Sequence, residues 1–195
     1  MVSVEQLSSL DCLMWLQAGQ SVAQTIAQHQ TTVSRHQRRC ADVFAIQVGK
    51  SQGEWRISGD TELLQLEREV HQAARLRDQR RLRLEAHRQE GSKLNLALPP
   101  GWLIGSSRIQ RTQHLTQLLK DRILDAWLIH PQQERPTDAA IELIPLSGKP
   151  GLSCLAIHAD LQRLEPVASL ARRLAVHASG VASGSTSPIN HQLKP

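Results

Sequence analysis

The chain has 195 residues, a formal net charge of +5 and five aromatic residues, four Trp and one Phe. So few aromatic side chains argue against a protein that binds single strands by base stacking, whereas the positive charge suits a polyanionic partner. No apolar run is long enough for a transmembrane helix and no secretory signal is visible. The three Cys are widely spaced. We therefore expect a cytoplasmic protein without a membrane partner.

The first 30 residues predict two helices. Apolar residues recur at helical spacing over residues 4–18, which predicts a first helix with one buried side. Gly19 suits the left-handed cap that ends this helix. Ser21 can cap a second, short helix, and residues 28–30 form the turn that follows it.

A third helix begins at Gln30 and has two different faces. An α-helix turns about 100° per residue, so Val33, Cys40 and Phe44 share an apolar face. The opposite face carries hydroxyl and guanidinium groups, which can bond to base edges or phosphates. This pattern predicts a helix-turn-helix whose third helix enters the DNA major groove, although a solvated surface helix would look similar. The candidate DNA contacts on this helix are Gln30, Thr31, Thr32, Ser34, Arg35, Arg38 and Arg39.

Residues 21–44 resemble the N-terminal domain of LysR-type transcriptional regulators. The run Gln30–Arg35 matches that family's Gln-x-x-Val/Leu-Ser-Arg at the start of the recognition helix, and Val22-Ala23 falls where the family carries an Ala-Ala pair. Gln28-His29 departs from the usual apolar-Ser pair in the turn, and Gln37 replaces an apolar residue. The resemblance implies a winged helix-turn-helix that binds double-stranded DNA and regulates transcription.

Two short alternating runs after the third helix predict a β-hairpin. They are residues 45–48 and 55–57, and they flank the Gly-containing segment 49–53. Such a hairpin can act as a wing on DNA phosphates, with Lys50 and Arg56 as its cations. A surface hairpin with two cations is also ordinary in proteins.

A long polar helix is predicted from Asp60 or Thr61 to about His87 or Arg88. Its apolar residues are spaced as in a coiled-coil seam, and the resemblance implies a linker helix that pairs two subunits. The alternative is that this stripe packs on the chain's own C-terminal half. The residues expected at a dimer contact are Leu63, Leu66, Val70 and Ala73.

The C-terminal half alternates strands and helices, which predicts a small α/β lobe. Helices are expected around residues 115–123 and 162–175, and strands at residues 93–98, 124–129, 140–146 and 151–158. The pieces resemble part of the LysR-type effector domain, which has a periplasmic-binding-protein fold. The length after residue 92 suits one lobe, without a closed inducer cleft.

These observations predict an α+β fold that functions as a sequence-specific transcriptional regulator. We expect a homodimer or higher oligomer on double-stranded DNA, with RNA polymerase as a further partner. The alternatives are an interaction protein that pairs with a full-length relative without binding DNA, and a small-ligand-binding module. No catalytic set or cofactor motif is visible, and His36 and Cys40 make only half a metal site. The expected divisions are a winged helix-turn-helix at 1–58, a linker helix at 59–90, a reduced effector-like lobe at 91–176 and a disordered tail at 177–195.

Overall fold

The computed structural model describes residues 2–88, 94, 98–146 and 153–182. Helices and a two-stranded hairpin form the N-terminal part, and a five-stranded sheet with flanking helices forms the rest. This arrangement confirms the predicted α+β class. In the described residues, no helix is long and apolar enough to cross a membrane.

Three helices form in the first 45 residues, as predicted: α1 (Val4–Leu16), α2 (Gly19–Thr25) and α3 (Gln30–Phe44). The predicted caps are wrong, because Gln17 in the left-handed conformation ends α1 and Ala18 precedes α2, so Gly19 and Ser21 lie within α2. Ser3 begins α1 with a reciprocal capping box that includes Gln6. The prediction that α1 has one buried side is wrong, because every residue from Leu7 to Leu16 is buried. This helix lies between α3 and the five-stranded sheet, so both of its sides are covered.

The hairpin consists of β1 (Gln47–Ser51) and β2 (Glu54–Ser58), which pair antiparallel. Its turn is shorter than the predicted segment and contains only Gln52 and Gly53. Both have positive φ, 53° and 82°, as a type I′ turn requires. The hairpin is therefore confirmed, with longer strands and a tighter turn.

The predicted long helix is confirmed only in its first part. Helix α4 spans Glu62–Asp78 and ends with Gln79 in the left-handed conformation. Residues 82–85, expected to continue the helix, form the buried strand β3 (Leu82–Glu85). The sheet determines this outcome, because β3 pairs with strands on both of its sides.

The five-stranded sheet has the order β4-β3-β5-β7-β6. The first three strands of this order are parallel, and the last two run antiparallel to their neighbours. The strand predicted at 93–98 is not part of it: Leu94 is helical, and residues 93 and 95–97 lie outside the described residues. The remaining strands are β4 (Trp102–Gly105), β5 (Ala126–Ile129), β6 (Ile141–Pro145) and β7 (Cys154–His158).

Each face of the sheet has its own hydrophobic cluster, because side chains alternate along a strand. Trp127 and Ile129 pack with α1, α3 and helix α5 (Thr112–Lys120) on one face. Leu84 and Leu128 pack on the other face with helix α6 (Glu165–Ala182). The N-terminal helices and the lobe therefore share one core, and α6 lies on the opposite side of the sheet.

Helix α6 is longer than predicted. It continues to Ala182, so residues 177–182, expected to belong to a disordered tail, are helical. The rest of that predicted tail lies outside the described residues.

Buried ion pairs fix the N-terminal helices to the lobe. Asp11 of α1 accepts a hydrogen bond from Arg68 of α4 at 2.9 Å and from Arg83 of β3 at 3.2 Å. Asp125 accepts two from Arg75 of α4, at 3.0 and 3.2 Å. All five side chains are buried. Each charge is compensated where water cannot reach it, which such burial requires.

Candidate nucleic-acid interface

Helix α3 presents the polar face that the sequence predicts. Val33, Cys40 and Phe44 are buried against the core. The opposite side has no acidic residue from Gln30 to Arg39, and its first acid is the exposed Asp42 near the end of the helix. Of the predicted contacts on α3, Thr32 is half-buried, and the exposed ones are Gln30, Thr31, Ser34, Arg35, Arg38 and Arg39.

A hydrogen-bonded group joins α1, the turn between α2 and α3, and α3 itself. The Ser9 hydroxyl lies 3.0 Å from Gln28 Oε1 and 2.9 Å from His36 Nδ1. Burial and the neighbouring Arg35 lower the pKa of His36 below its ordinary value. Gln28, which departs from the family pattern, thus helps to hold α3 in place.

Gln37, the polar residue on the apolar side of α3, also has a structural partner. Its side-chain amide donates a hydrogen bond of 3.3 Å to the carbonyl of Val48 in β1. The residue therefore links α3 to the hairpin and occupies a position where an apolar side chain would leave that carbonyl unbonded.

The two cations of the hairpin lie on opposite faces of it. Lys50 stands opposite Trp55 in the ladder, and its ammonium lies 5.5 Å from the Trp55 ring centroid. Arg56 points to the other face, where it pairs with Glu54 at 2.8 Å. Glu54 also pairs with Arg111. Of these two cations, only Lys50 lies next to α3, and it has no acidic partner among the described residues.

A groove of 270 Å³ runs between the start of α3, the hairpin and the loop that follows β4. Gln30 and Ser34 line it from α3, and Lys50 lines it from β1. A second cation, Arg108, enters it from the lobe. Sequence reasoning missed Arg108, because no local pattern around this loop residue marks its tertiary position beside α3.

The loop that carries Arg108 is anchored on a buried carboxylate, Glu85 of β3. The Ser107 backbone N–H lies 3.0 Å from both Glu85 oxygens, and the Gln110 side-chain amide donates to Oε1 at 3.0 Å. The indole N–H of Trp15 donates to Oε2 at 2.5 Å. Burial raises the pKa of Glu85 to about 7, against the effect of these donors.

Close packing reinforces this anchor. Gly105 ends β4 directly before the loop, and a Cβ there would come within 2.5 Å of the Trp15 ring. Only glycine permits this approach, so the loop leaves the sheet directly against α1.

The predicted dimer residues form an apolar stripe on the outer face of α4. Leu63, Leu66 and Val70 are 57%, 55% and 65% exposed, and Ala73 is exposed beside them. The opposite face of α4, including Leu64, packs on the chain itself. The two faces thus differ: one is used within the chain, and the predicted stripe is left uncovered.

No group of three or more metal-ligating side chains occurs within the described ranges. His36 contacts Ser9, and burial raises the pKa of the Cys40 thiol to about 12. Two cavities of 640 and 490 Å³ lie beside α4 and away from the groove at α3.

Several solved structures are similar to the chain. Full-length OxyR C199D from Pseudomonas aeruginosa is 19% identical with a TM-score of 0.43, and the match covers 75% of this chain and 55% of that one. ArgP from Mycobacterium tuberculosis is 14% identical with a TM-score of 0.35, covering 75% and 53%. CbnR, a LysR family transcriptional regulator, is 13% identical with a TM-score of 0.31, covering 75% and 56%. The chain spans about half the length of these structures. No family model and no curated protein matches it.

Proposed function

We propose that this chain is a LysR-type transcriptional regulator that binds specific sequences in double-stranded DNA. The observation that carries the proposal is the exposed front of α3, which is free of acids from Gln30 to Arg39 and whose buried back is fixed to α1. In this proposal residues 1–58 contact DNA, α4 pairs two subunits, and the lobe is a reduced effector region. Binding in the cytoplasm changes transcription by covering a promoter or by recruiting RNA polymerase.

The proposed DNA contact of each side chain on α3 follows from its chemistry and its position in the helix. Arg35 lies one turn into the helix, where a recognition helix reaches base edges, and a guanidinium can bond to guanine through two N–H groups. Arg38 and Arg39 lie further along and suit phosphates. Thr31 and Ser34 supply short hydroxyls in the first turns of the helix, before Arg35. Lys50 extends the cationic surface onto the hairpin.

The alternative of a chain that has lost DNA binding predicts a loosened turn. Two of the three side chains that depart from the family pattern are instead bonded, Gln28 to Ser9 and Gln37 to Val48, whereas His29 is exposed and gives no side-chain cap. These contacts hold α3 and the hairpin in one arrangement, which supports a helix-turn-helix that is still in use.

The stripe on α4 supports a dimer. A monomer that leaves three large apolar side chains in water on one helix loses the free energy of burying them, about 25 cal/mol per Å². A second copy with the same stripe covers it without any further residue. Two copies of α3 then meet two half-sites on one duplex.

The test is selection of duplexes from a random DNA pool by the full chain. We expect a short motif that occurs twice in inverted orientation. The Arg35→Ala variant should select a motif that has lost preference at one position of each half-site. The control Arg173→Ala removes a charge from α6, on the other side of the sheet, and should select the wild-type motif. Absence of any enriched motif for the wild-type chain would contradict the proposal.

A further inference from the structure

The loop between β4 and α5 brings the lobe into contact with the groove at α3. It carries Arg108, which lines the same groove as Lys50, Gln30 and Ser34. The loop follows a strand of the C-terminal sheet, yet it lies beside α3 on the same groove as the hairpin. The groove therefore receives one cation from the hairpin and one from the lobe.

Arg108 differs from its neighbour Arg111 in its partners. Arg111 pairs with Glu54, whose other partner is Arg56, so these two arginines share one carboxylate at the hairpin. Arg108 is exposed and forms no ion pair within the described part of the chain. Its charge is available to a ligand in the groove.

The position of Arg108 is fixed by its surroundings. The adjacent Ser107 is buried, and its N–H is bonded to Glu85. The Ser107 hydroxyl accepts a hydrogen bond from the N–H of Ile109 at 3.1 Å. Both neighbours of Arg108 are thus held, so its backbone needs little ordering when a ligand arrives.

The start of α3 adds to the attraction of an anion. His29 precedes the helix and gives no side-chain cap, so the N–H groups of Gln30 and Thr31 at the start of this 15-residue helix receive no capping bond from it. These N–H groups carry the positive end of the helix dipole next to Lys50 and Arg108. Three sources of positive potential therefore converge on one groove.

We propose that Arg108 contacts a backbone phosphate of the bound duplex, so that the lobe itself takes part in DNA binding beside α3 and the hairpin. This inference rests on the proposed function. Glu85 acts as a positioning residue for the loop and does not touch DNA. The contact makes DNA affinity depend on the conformation of the lobe, without a separate signal through α4.

The first experiment measures duplex affinity of the full chain at several salt concentrations. Each phosphate contact contributes about 0.9 to the slope of log K against log salt. Arg108→Ala should make that slope less steep by about 0.9 per subunit, and so by about 1.8 for the proposed dimer, and leave the selected motif unchanged. Arg108→Lys keeps the charge and should keep the slope. Arg173→Ala, the control on α6, should also keep it.

The second experiment locates residue 108 on the DNA. All three native Cys are buried, so Arg108→Cys offers one exposed thiol for an iron–EDTA label. The label should cut the DNA backbone at one edge of each half-site. The same label at Arg173→Cys should give no cutting.

The outcomes separate the inference from the proposed function. A wild-type slope for Arg108→Ala, or no DNA cutting from position 108, overturns the inference about Arg108. The proposed function still stands in that case if the wild-type chain selects a motif. A wild-type chain that binds no duplex overturns both. A lowered slope together with localised cutting supports the contact.

Discussion

Two sets of arginines in this molecule have opposite surroundings. Arg35, Arg38 and Arg39 of α3 are exposed, whereas Arg68 and Arg75 of α4 are buried and bonded to aspartates. The α4 arginines are needed for stability because an uncompensated buried charge is costly. The α3 arginines have no structural role that the fold reveals, which leaves them available for a ligand.

The comparison predicts which substitutions unfold the chain and which only remove binding. Changing a partner of the buried arginines should affect stability, and changing the α3 arginines should affect affinity alone.

Asp11→Ala should lower the free energy of unfolding most, by about 3–5 kcal/mol, because it leaves Arg68 and Arg83 buried without their carboxylate. Denaturant unfolding of the purified variant measures the change. Asp78→Ala breaks the exposed pair with Arg77 and should leave the unfolding midpoint unchanged. Equal midpoints for both variants would show that the buried pairs do not stabilise the fold.

Glu85 should make stability depend on pH. Its pKa of about 7 in the folded chain exceeds the ordinary value of 4.5, so between these values the folded chain holds a proton that the unfolded chain has released. The free energy of unfolding should therefore fall as pH rises from about 4.5 to about 7, by roughly 3 kcal/mol, and then level off. Glu85→Gln cannot titrate and should lack this component. Parallel pH profiles of the two proteins would contradict the raised pKa.

Arg35→Ala should weaken binding to the selected duplex by about 1–3 kcal/mol without changing the unfolding midpoint. Arg35→Lys keeps the charge but not the paired N–H groups, so it should recover affinity for scrambled DNA and not for the selected motif. Fluorescence anisotropy with both duplexes measures this. Full recovery of specificity by Lys would assign Arg35 to a phosphate.

Leu66→Glu combined with Val70→Glu should give a monomer while changing the monomer's stability by less than about 0.5 kcal/mol, because both side chains are already exposed. Light scattering measures the mass. Leu64→Glu, on the buried face of the same helix, should instead unfold the chain. A wild-type chain that is monomeric at high concentration would contradict the proposal that the stripe on α4 pairs two subunits.

The helix-turn-helix could be predicted because its signals are local. The buried residues of α3 follow helical spacing, and the hairpin strands flank a short turn that contains Gly53. Neither element needs a distant part of the chain to be recognised.

Strand β3 could not be predicted because its charges suggest a solvated helix. Arg83 and Glu85 are buried only because Asp11, Trp15 and Ser107 meet them from other elements. A sequence pattern shows that a residue is charged but not which distant residue compensates its charge. The pattern therefore predicts that Leu82 and Leu84 belong to the preceding helix. The same limit hid Arg108, whose proximity to α3 results from the packing of β4 on α1.

The most direct test compares the wild-type chain with the Arg35→Ala and Arg38→Ala double variant on the selected duplex and a scrambled duplex at one salt concentration. The account predicts that the wild-type chain prefers the selected duplex. It predicts that the double variant unfolds at the wild-type midpoint but binds both duplexes weakly and equally. A double variant with unchanged affinity for the selected duplex would contradict the assignment of α3 as the DNA-contacting helix.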